Sequence, residues 1–349
     1  MRVGIIGGGF GLKIQAPIIE THPFMKVVAV STVKRHQLPK ELLEATNDFI
    51  HYENWREMLD QEELDIIFVS SMPMHHYEMA KYTIEKGISI VCEKPFTVTS
   101  KESLELCELA ERNDVKALLD FEWRYLPIRQ KAKEAILQGD IGDVKHFEYH
   151  VSYAEYQKLI KGKRGWIDEK EQAGGMLGAL GSHMIDSLRW FTESEVHMVN
   201  GFIHTHVPEA GEEVRDADDA FFIHGKMKSG STFSIQFLSG IHHGFGSQLR
   251  IFGNEGTITV TNDKHLHVAK GKEELTEMRI PSTDIPSYLS ENAKRYYPAF
   301  YPFLEKVYTY ITMNMLDRDL PTFVDGHANQ IILDKVRGLQ NGCESIDDE

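Results

Sequence analysis

The sequence predicts an α/β protein. An N-terminal Rossmann domain, a doubly wound parallel sheet, should precede an α+β domain with a large, mostly antiparallel open sheet. Three observations carry this expectation. Short apolar β-branched runs alternate with helical stretches through the first third of the chain, as in a parallel sheet covered on both faces. The first run opens into a glycine-rich turn, Gly7-Gly8-Gly9-Phe10-Gly11-Leu12. After about Glu122 the pattern becomes alternation, the mark of strands with one wet face. A chain of 349 residues also exceeds one ordinary core. The expected domains are 1–121 and 122–349.

Taken in order, Arg2–Gly7 reads as a first strand, followed by the glycine turn and a helix to about Thr21. Lys26–Val30 reads as the second strand. This βαβ unit has the length of a dinucleotide-binding turn. Gly7 permits the tight turn, and Gly9 lets the backbone approach a pyrophosphate. The helix start, from Phe10, Gly11 and Leu12 onward, offers free N–H groups and partial positive charge. Leu12 stands at the third position of G-x-G-x-x-G, with Gly11 one place early. Past the second strand come Ser31, Thr32, Lys34 and Arg35, with no carboxylate among them. Hydroxyls and a guanidinium suit a 2′-phosphate, so NADP is the preferred cofactor, with NAD as the other possibility.

The alternation continues through a short helix at 54–60, a strand at 64–70, a helix at 74–86 and a strand from Ile88. Thr99 and Glu102 form a capping box opening the next helix, and Val115–Phe121 is a further strand. Ser71, His75 and His76 follow a strand end, where ligands bind in open α/β sheets. Ser71 and His76 join the candidate cofactor residues. The strand from Ile88 runs into Glu93-Lys94-Pro95. Proline cannot donate to a ladder, so Lys94 should sit at the ligand edge, with Glu93 beside it.

Beyond Pro127–Gln138, a helix, alternating runs at 145–153, 199–206, 220–228, 232–238, 249–252 and 257–261 read as strands. The acidic stretch 209–219 reads as a loop, and the tail from Glu344 as frayed. Between the strands, Gly174–Trp190 reads as a helix with Leu177, Leu180, Met184 and Leu188 on one face. His183, Asp186 and Trp190 share another. Gly178 and Gly181 each disfavour a helix by about 1 kcal/mol, which calls for a backbone or ligand packed close by. A histidine there reads equally as a core residue or a site residue.

The net charge of −15 argues against a nucleic-acid backbone or an anionic membrane as partner. Cys92, Cys107 and Cys343 form no C-x-x-C pair. A strand starting at Arg2 leaves no room for a signal peptide, so a cytoplasmic protein is expected. No apolar run spans a bilayer. The pairs His204/His206, His242/His243 and His265/His267 lack a third ligand, so no metal is expected.

The ordered set of these motifs resembles the Gfo/Idh/MocA oxidoreductases, named for glucose-fructose oxidoreductase and inositol dehydrogenase. It comprises the Gly7–Leu12 turn, Glu93-Lys94-Pro95, Arg124 with Pro127 and Gly139-x-Ile141-Gly142. Arg164-Gly165-Trp166, Gly174-Gly175, Gly181-Ser182-His183-x-x-Asp186 and Phe252-Gly253-x-x-Gly256 complete it. The resemblance implies hydride transfer between NAD(P) and a carbinol or carbonyl carbon of a sugar, polyol or related compound. It also implies a cis Lys94–Pro95 peptide and a homodimer or homotetramer formed through the open sheet. Lys94 and His183 are the expected catalytic pair: His183 as general base or acid, Lys94 as donor to the substrate oxygen. Glu122, Arg124, Arg164, Trp166 and Asp186 are candidate substrate residues; Glu93 and Lys94 also border the cofactor. Two departures stand out. Ala179 replaces the usual aspartate four residues before the histidine, and Glu122 replaces the usual asparagine before the arginine. NAD-dependent glycoside hydrolysis through transient oxidation, and a non-catalytic NADP-binding sensor, stay open as alternatives.

If Arg35 holds a 2′-phosphate, Arg35→Ala should weaken NADPH by about tenfold and leave NADH nearly unchanged. Fluorescence titration of the two nucleotides measures this, and equal affinities in the wild type would contradict the assignment.

Overall fold

A computed structural model describes residues 1–32 and 49–339. Lys34, Arg35, Cys343 and the acidic tail lie outside the described residues. Two compact units emerge: Met1–Leu126 with Ser282–His327, and Pro127–Pro281 with the segment that begins at Ala328. The chain therefore crosses between units at 126/127, 281/282 and 327/328, where the sequence led us to expect one crossing near 121/122.

The first unit holds a six-stranded parallel sheet. Its strands are β1 (Arg2–Ile6), β2 (Lys26–Ser31), β3 (Ile50–Tyr52), β4 (Ile66–Val69), β5 (Ser89–Cys92) and β6 (Ala117–Leu119). Their order is β3-β2-β1-β4-β5-β6, with every pair parallel. The order reverses direction between β1 and β4, the switch point where such sheets bind ligands. β1, β4 and β5 are nearly continuous buried aliphatic runs because helices cover both faces. On one side lie α2 (Trp55–Gln61), α3 (His76–Glu85) and α4 (Ser100–Arg112), whose apolar residues share a core with Ile67, Val69 and Ile90. The expected capping box opens α4. On the other side, a π-wound turn, Gly11–Gln15, leads into α1 (Ala16–Ile19).

That second face is completed from far along the chain. The helix Glu291–Met313 buries Tyr297, Phe300, Phe303, Leu304 and Val307 in one core with Val3, Ile5, Phe68, Val91 and Leu118. The sequence reading missed this helix. Pro298 and Pro302 lie inside it, and each removes a backbone donor, so local propensity argues against a helix there. Burying its aromatic stripe overrides that preference; each fully buried phenylalanine contributes roughly 1.5–3 kcal/mol.

The second unit begins with α5 (Pro127–Leu137) and β7 (Val144–Ser152). After α6 (Tyr156–Leu159), a second π-wound turn, Leu177–Gly181, enters α7 (Ser182–Thr192). Then follow β8 (Val196–His204), β9 (Glu209–Ala210), β10 (Glu213–Val214), β11 (Ala220–Met227), β12 (Thr232–Leu238), β13 (Gly246–Gly253), β14 (Gly256–Thr261), β15 (His265–Lys270) and β16 (Thr276–Met278). Eight of these strands form one sheet, ordered β16-β15-β14-β13-β7-β12-β11-β8. All its pairings are antiparallel except β7 with β12. Phe147, Tyr149 and Val151 point into the core, while His146, Glu148 and His150 line the half-buried outer face, as alternation requires.

β9 and β10 form a small hairpin inside the acidic stretch that reads as a loop, and β15 and β16 extend the sheet beyond the expected strands. We number the two late helices α8 (Glu291–Met313) and α9 (Phe323–Leu339). No helix among the described residues is long and apolar enough to cross a membrane.

Phe303→Ala should destabilise the chain by about 3–5 kcal/mol, because it empties the centre of the α8 stripe. Urea unfolding would read this as a lowered midpoint; a change below about 1 kcal/mol would mean that α8 does not hold the sheet face.

Candidate active site

All six strands of the first sheet run the same way, so their carboxyl ends form one edge. Gly7 follows β1, Ser70 and Ser71 follow β4, Glu93 and Lys94 follow β5, and Asp120 follows β6. Gly7 has φ +137°, and a Cβ there would stand 2.2 Å from the Ser70 carbonyl oxygen. Only glycine fits this turn. A Cβ at Gly9 would meet nothing within 4 Å, leaving the backbone open to a ligand. At Gly11 it would meet Ile5 at 2.8 Å and Ser70 at 3.0 Å. The close helix–strand contact that normally needs the third glycine therefore falls at Gly11, and Leu12 is a fully buried core residue. The Phe10 ring meets Tyr296 of α8 edge-on, at 4.9 Å between centroids. An exposed glycine backbone at the start of a helix, at the switch point, fits a dinucleotide's pyrophosphate.

Ser31 and Thr32 are buried, and the Thr32 hydroxyl lies 2.8 Å from His51 Nε2. The Ser71 hydroxyl donates to Met72 O at 3.3 Å. His76 is wholly buried; Nδ1 faces the carbonyls of Pro95 (3.0 Å) and Phe96 (3.3 Å), and Nε2 faces that of Ser71 (3.0 Å). Burial lowers its pKa. The imidazole thus ties the β4 loop to the segment after Lys94, with both ring nitrogens facing protein carbonyls. The Lys94–Pro95 peptide is cis.

Beneath Lys94 lies a polar cluster that the sequence reading missed. Gln15 Nε2 donates to Glu93 Oε1 and to Asp120 Oδ2, each at 2.9 Å, and Ser70 Oγ donates to Gln15 Oε1. The Lys94 N–H donates to Glu93 Oε2 at 3.2 Å. Burial first, then the Asp120 charge, pushes the Glu93 carboxyl well above the usual range. Burial pushes Asp120 up to about 6.

Glu122 is buried in the turn Glu122–Tyr125 after β6, and its charge acts on Glu93 and on Tyr296. Arg124 donates to Asp319 O at 3.2 Å and pairs with Asp325 at 3.0 Å. This guanidinium pins the 317–325 segment to the first unit.

In the second unit, His183 and Asp186 are buried on α7. The His183 carbonyl accepts from Ser187 Oγ at 2.7 Å, and Asn329 Nδ2 donates to Ser182 O at 2.8 Å. Asp218 accepts from the Leu177 N–H at 2.8 Å, closing the start of the π-wound turn, and burial pushes its pKa up to about 6. At Gly181 an added Cβ would lie 3.1 Å from both Phe221 and Leu177. Those two side chains are what crowd this position. Arg164 lies 2.8 Å from Asp168, which also pairs with fully buried Arg215 at 3.0 Å. Trp166 is half-buried, and its carbonyl would clash with a Cβ at Gly174, at 2.3 Å. Arg124 and Arg164, expected to orient substrate, thus both carry internal carboxylate partners. Lys94 and His183 lie in different units.

A β3-β2-β1-β4-β5-β6 sheet with a glycine turn at its switch point defines a dinucleotide-binding Rossmann protein. A family model described as an oxidoreductase family with an NAD-binding Rossmann fold matches residues 1–121, and the C-terminal domain model of the same family matches 129–259. The chain belongs to the Gfo/Idh/MocA family of oxidoreductases. Over 75% of its length it is 29% identical to an uncharacterized oxidoreductase of Synechocystis sp., covering 72% of that protein. It is 24% identical to the glucose-6-phosphate 3-dehydrogenase of Bacillus subtilis, across 95% of this chain and 94% of that one. Among solved structures, a levoglucosan dehydrogenase in complex with NADH and levoglucosan superposes with a TM-score of 0.84 at 21% identity, covering 96% and 95% of the two chains.

Gly9→Ala should leave thermal stability unchanged, because no protein atom stands in the way. It should weaken NADH binding by about tenfold or more, since the methyl occupies the approach to the backbone. Gly7→Ala should lower Tm as well. Wild-type nucleotide affinity in Gly9→Ala would remove the pyrophosphate from this turn.

Proposed function

We propose that the protein is an NAD(P)-dependent dehydrogenase acting on a hydroxyl of a sugar, polyol or related compound. The supporting observation is Lys94, held at the carboxyl end of β5 on the edge that also carries the open Gly9 backbone. Residues 1–121, with the 282–327 segment packed on their sheet, are the cofactor module in this reading, and the second unit supplies the substrate side and the oligomer contact. Gly7, Gly9, Phe10 and Gly11 would hold the pyrophosphate. Ser31, Thr32 and Arg35 would favour NADP. When bound, the nicotinamide supplies the hydride acceptor or donor.

Oxidation of a carbinol releases a hydroxyl proton along with the hydride. His183 takes that proton and returns it in the reverse direction. Lys94 donates a hydrogen bond to the substrate oxygen and stabilises developing alkoxide charge. Glu122 supplies the carboxylate that Ala179 no longer provides. Asp186 and Trp166 complete the substrate side. Arg124 and Arg164 hold the surrounding loops through Asp325 and Asp168. Relatives named for glucose-6-phosphate and levoglucosan support a sugar substrate. They favour neither the glycoside-hydrolase nor the sensor alternative. We also infer a cytoplasmic homodimer or homotetramer formed through the outer sheet face, where Met198 and Phe202 are exposed.

A panel of sugars and polyols followed at the nicotinamide absorbance should identify a substrate. On it, Lys94→Ala and His183→Ala should each lower kcat by about 10²–10⁴-fold while nucleotide affinity survives. The double variant should lose little more than the worse single one, because the two groups handle one proton. Glu122→Gln should lower kcat with nucleotide affinity kept. Normal turnover by Lys94→Ala on the true substrate would overturn the assignment.

A further inference from the structure

The first unit holds a group of buried titratable side chains that the proposed chemistry does not use. Glu93 and Asp120 end the neighbouring strands β5 and β6. Their carboxyls share the Gln15 amide nitrogen, 2.9 Å from each, and each bears on the ionisation of the other. Ser70 Oγ donates to Gln15 Oε1, which fixes the amide with its nitrogen toward the two acids. Asp120 is fully buried, and no hydrogen-bond donor reaches its Oδ1 among the described residues. Two carboxylates this close and this far from water do not both stay ionised. A proton on one of them supplies the missing donor.

Charged and titratable groups on every neighbouring element bear on the pair. From β5, Lys94 favours ionisation, and the buried Cys92 thiol is itself pushed up by burial and by both acids. From the turn after β6, the Glu122 charge opposes ionisation of Glu93, while its backbone N–H favours ionisation of Asp120. From α8, the Tyr296 hydroxyl is raised by burial, then by Glu122, with Arg295 acting in the other direction.

We propose that Glu93 and Asp120 act as one acid, holding a single proton between them at neutral pH and presenting Lys94 with one negative charge rather than two. They are positioning residues, since they act through the charge beside Lys94. Burial pushes Asp120 up to about 6, and burial with the Asp120 charge raises Glu93 well above the usual carboxylate range. The two ionisations are therefore steps of the pair rather than of either residue. As pH rises through the first step, the pair passes from neutral to singly negative. This second consequence rests on reading Lys94 as the lysine beside the nicotinamide. Oxidised nicotinamide is cationic and the reduced form is neutral, so the new charge should favour the oxidised form.

Infrared spectra of the ligand-free full chain, isotope-labelled at Asp and Glu carboxyls and titrated from about pH 5 to 9, test the proton directly. The expected result is one buried carboxylic acid that persists at neutral pH and disappears in Glu93→Gln. In Asp120→Asn the amide supplies the donor, so Glu93 should ionise at lower pH. A folded wild type with no protonated carboxyl at neutral pH overturns the proposal, whatever the variants do. Affinities for NAD⁺ and NADH at about pH 5.5 and 7.5 test the consequence. The ratio should shift toward NAD⁺ by several-fold, up to about tenfold, in the wild type and by less than about twofold in the double variant Glu93→Gln/Asp120→Asn, which keeps neither acid. A flat wild-type ratio overturns the counter-charge role. Failure of both nucleotides to bind overturns the cofactor reading instead, and the infrared result stands apart from it.

Discussion

One buried amide links four parts of the Rossmann unit. Gln15 leaves the first helical turn and meets Ser70 after β4, Glu93 after β5 and Asp120 after β6. An amide has one acceptor oxygen and two donor hydrogens, so it can serve a hydroxyl and two acids together. Removing it would leave two buried acids without their shared donor, a severe penalty in a low-dielectric interior. The position of Lys94 depends on this tie, because Glu93 also receives the Lys94 backbone N–H. The opposite side of the same segment is held by His76 through the carbonyls of Pro95 and Phe96. Lysine at this edge is thus braced by polar contacts below and beside it.

Much of the fold was legible in the sequence because period and punctuation agreed. The buried runs at Val3–Ile6, Ile66–Val69 and Ile90–Cys92, the Thr99–Glu102 capping box and the alternation of Phe147, Tyr149 and Val151 each carried their own signal. The late helix α8 did not, since its two prolines speak against a helix locally and only tertiary burial decides the matter. β9, β10, β15 and β16 are short, polar strands whose pairing supplies what their residues do not.

Site residues divided along the same line. Gly7, Gly9 and Lys94 follow from backbone geometry, which sequence encodes through glycine and proline. Gln15, Ser70 and Asp120 were invisible because nothing in their spacing shows that three strand ends and one helix converge. Arg124, Arg164 and His76, expected at the ligand edge, each have internal partners that their spacing does not show: Asp325, Asp168 and the Ser71 and Pro95 carbonyls. Gly181 adds a similar lesson: the space it leaves is filled by Phe221 and Leu177.

The first turns of the two helices that carry Gln15 and His183 are π-wound, over Gly11–Gln15 and Leu177–Gly181. A π turn holds one residue more than an α turn. Deleting a residue from either would restore ordinary winding and rotate everything before it, relative to the helix body, by about 100°. For the first helix, the glycine turn and the Gln15 amide could then no longer both keep their places. The length of these two segments is therefore held more tightly than a loop's would be, and alignments of relatives should show no gaps there.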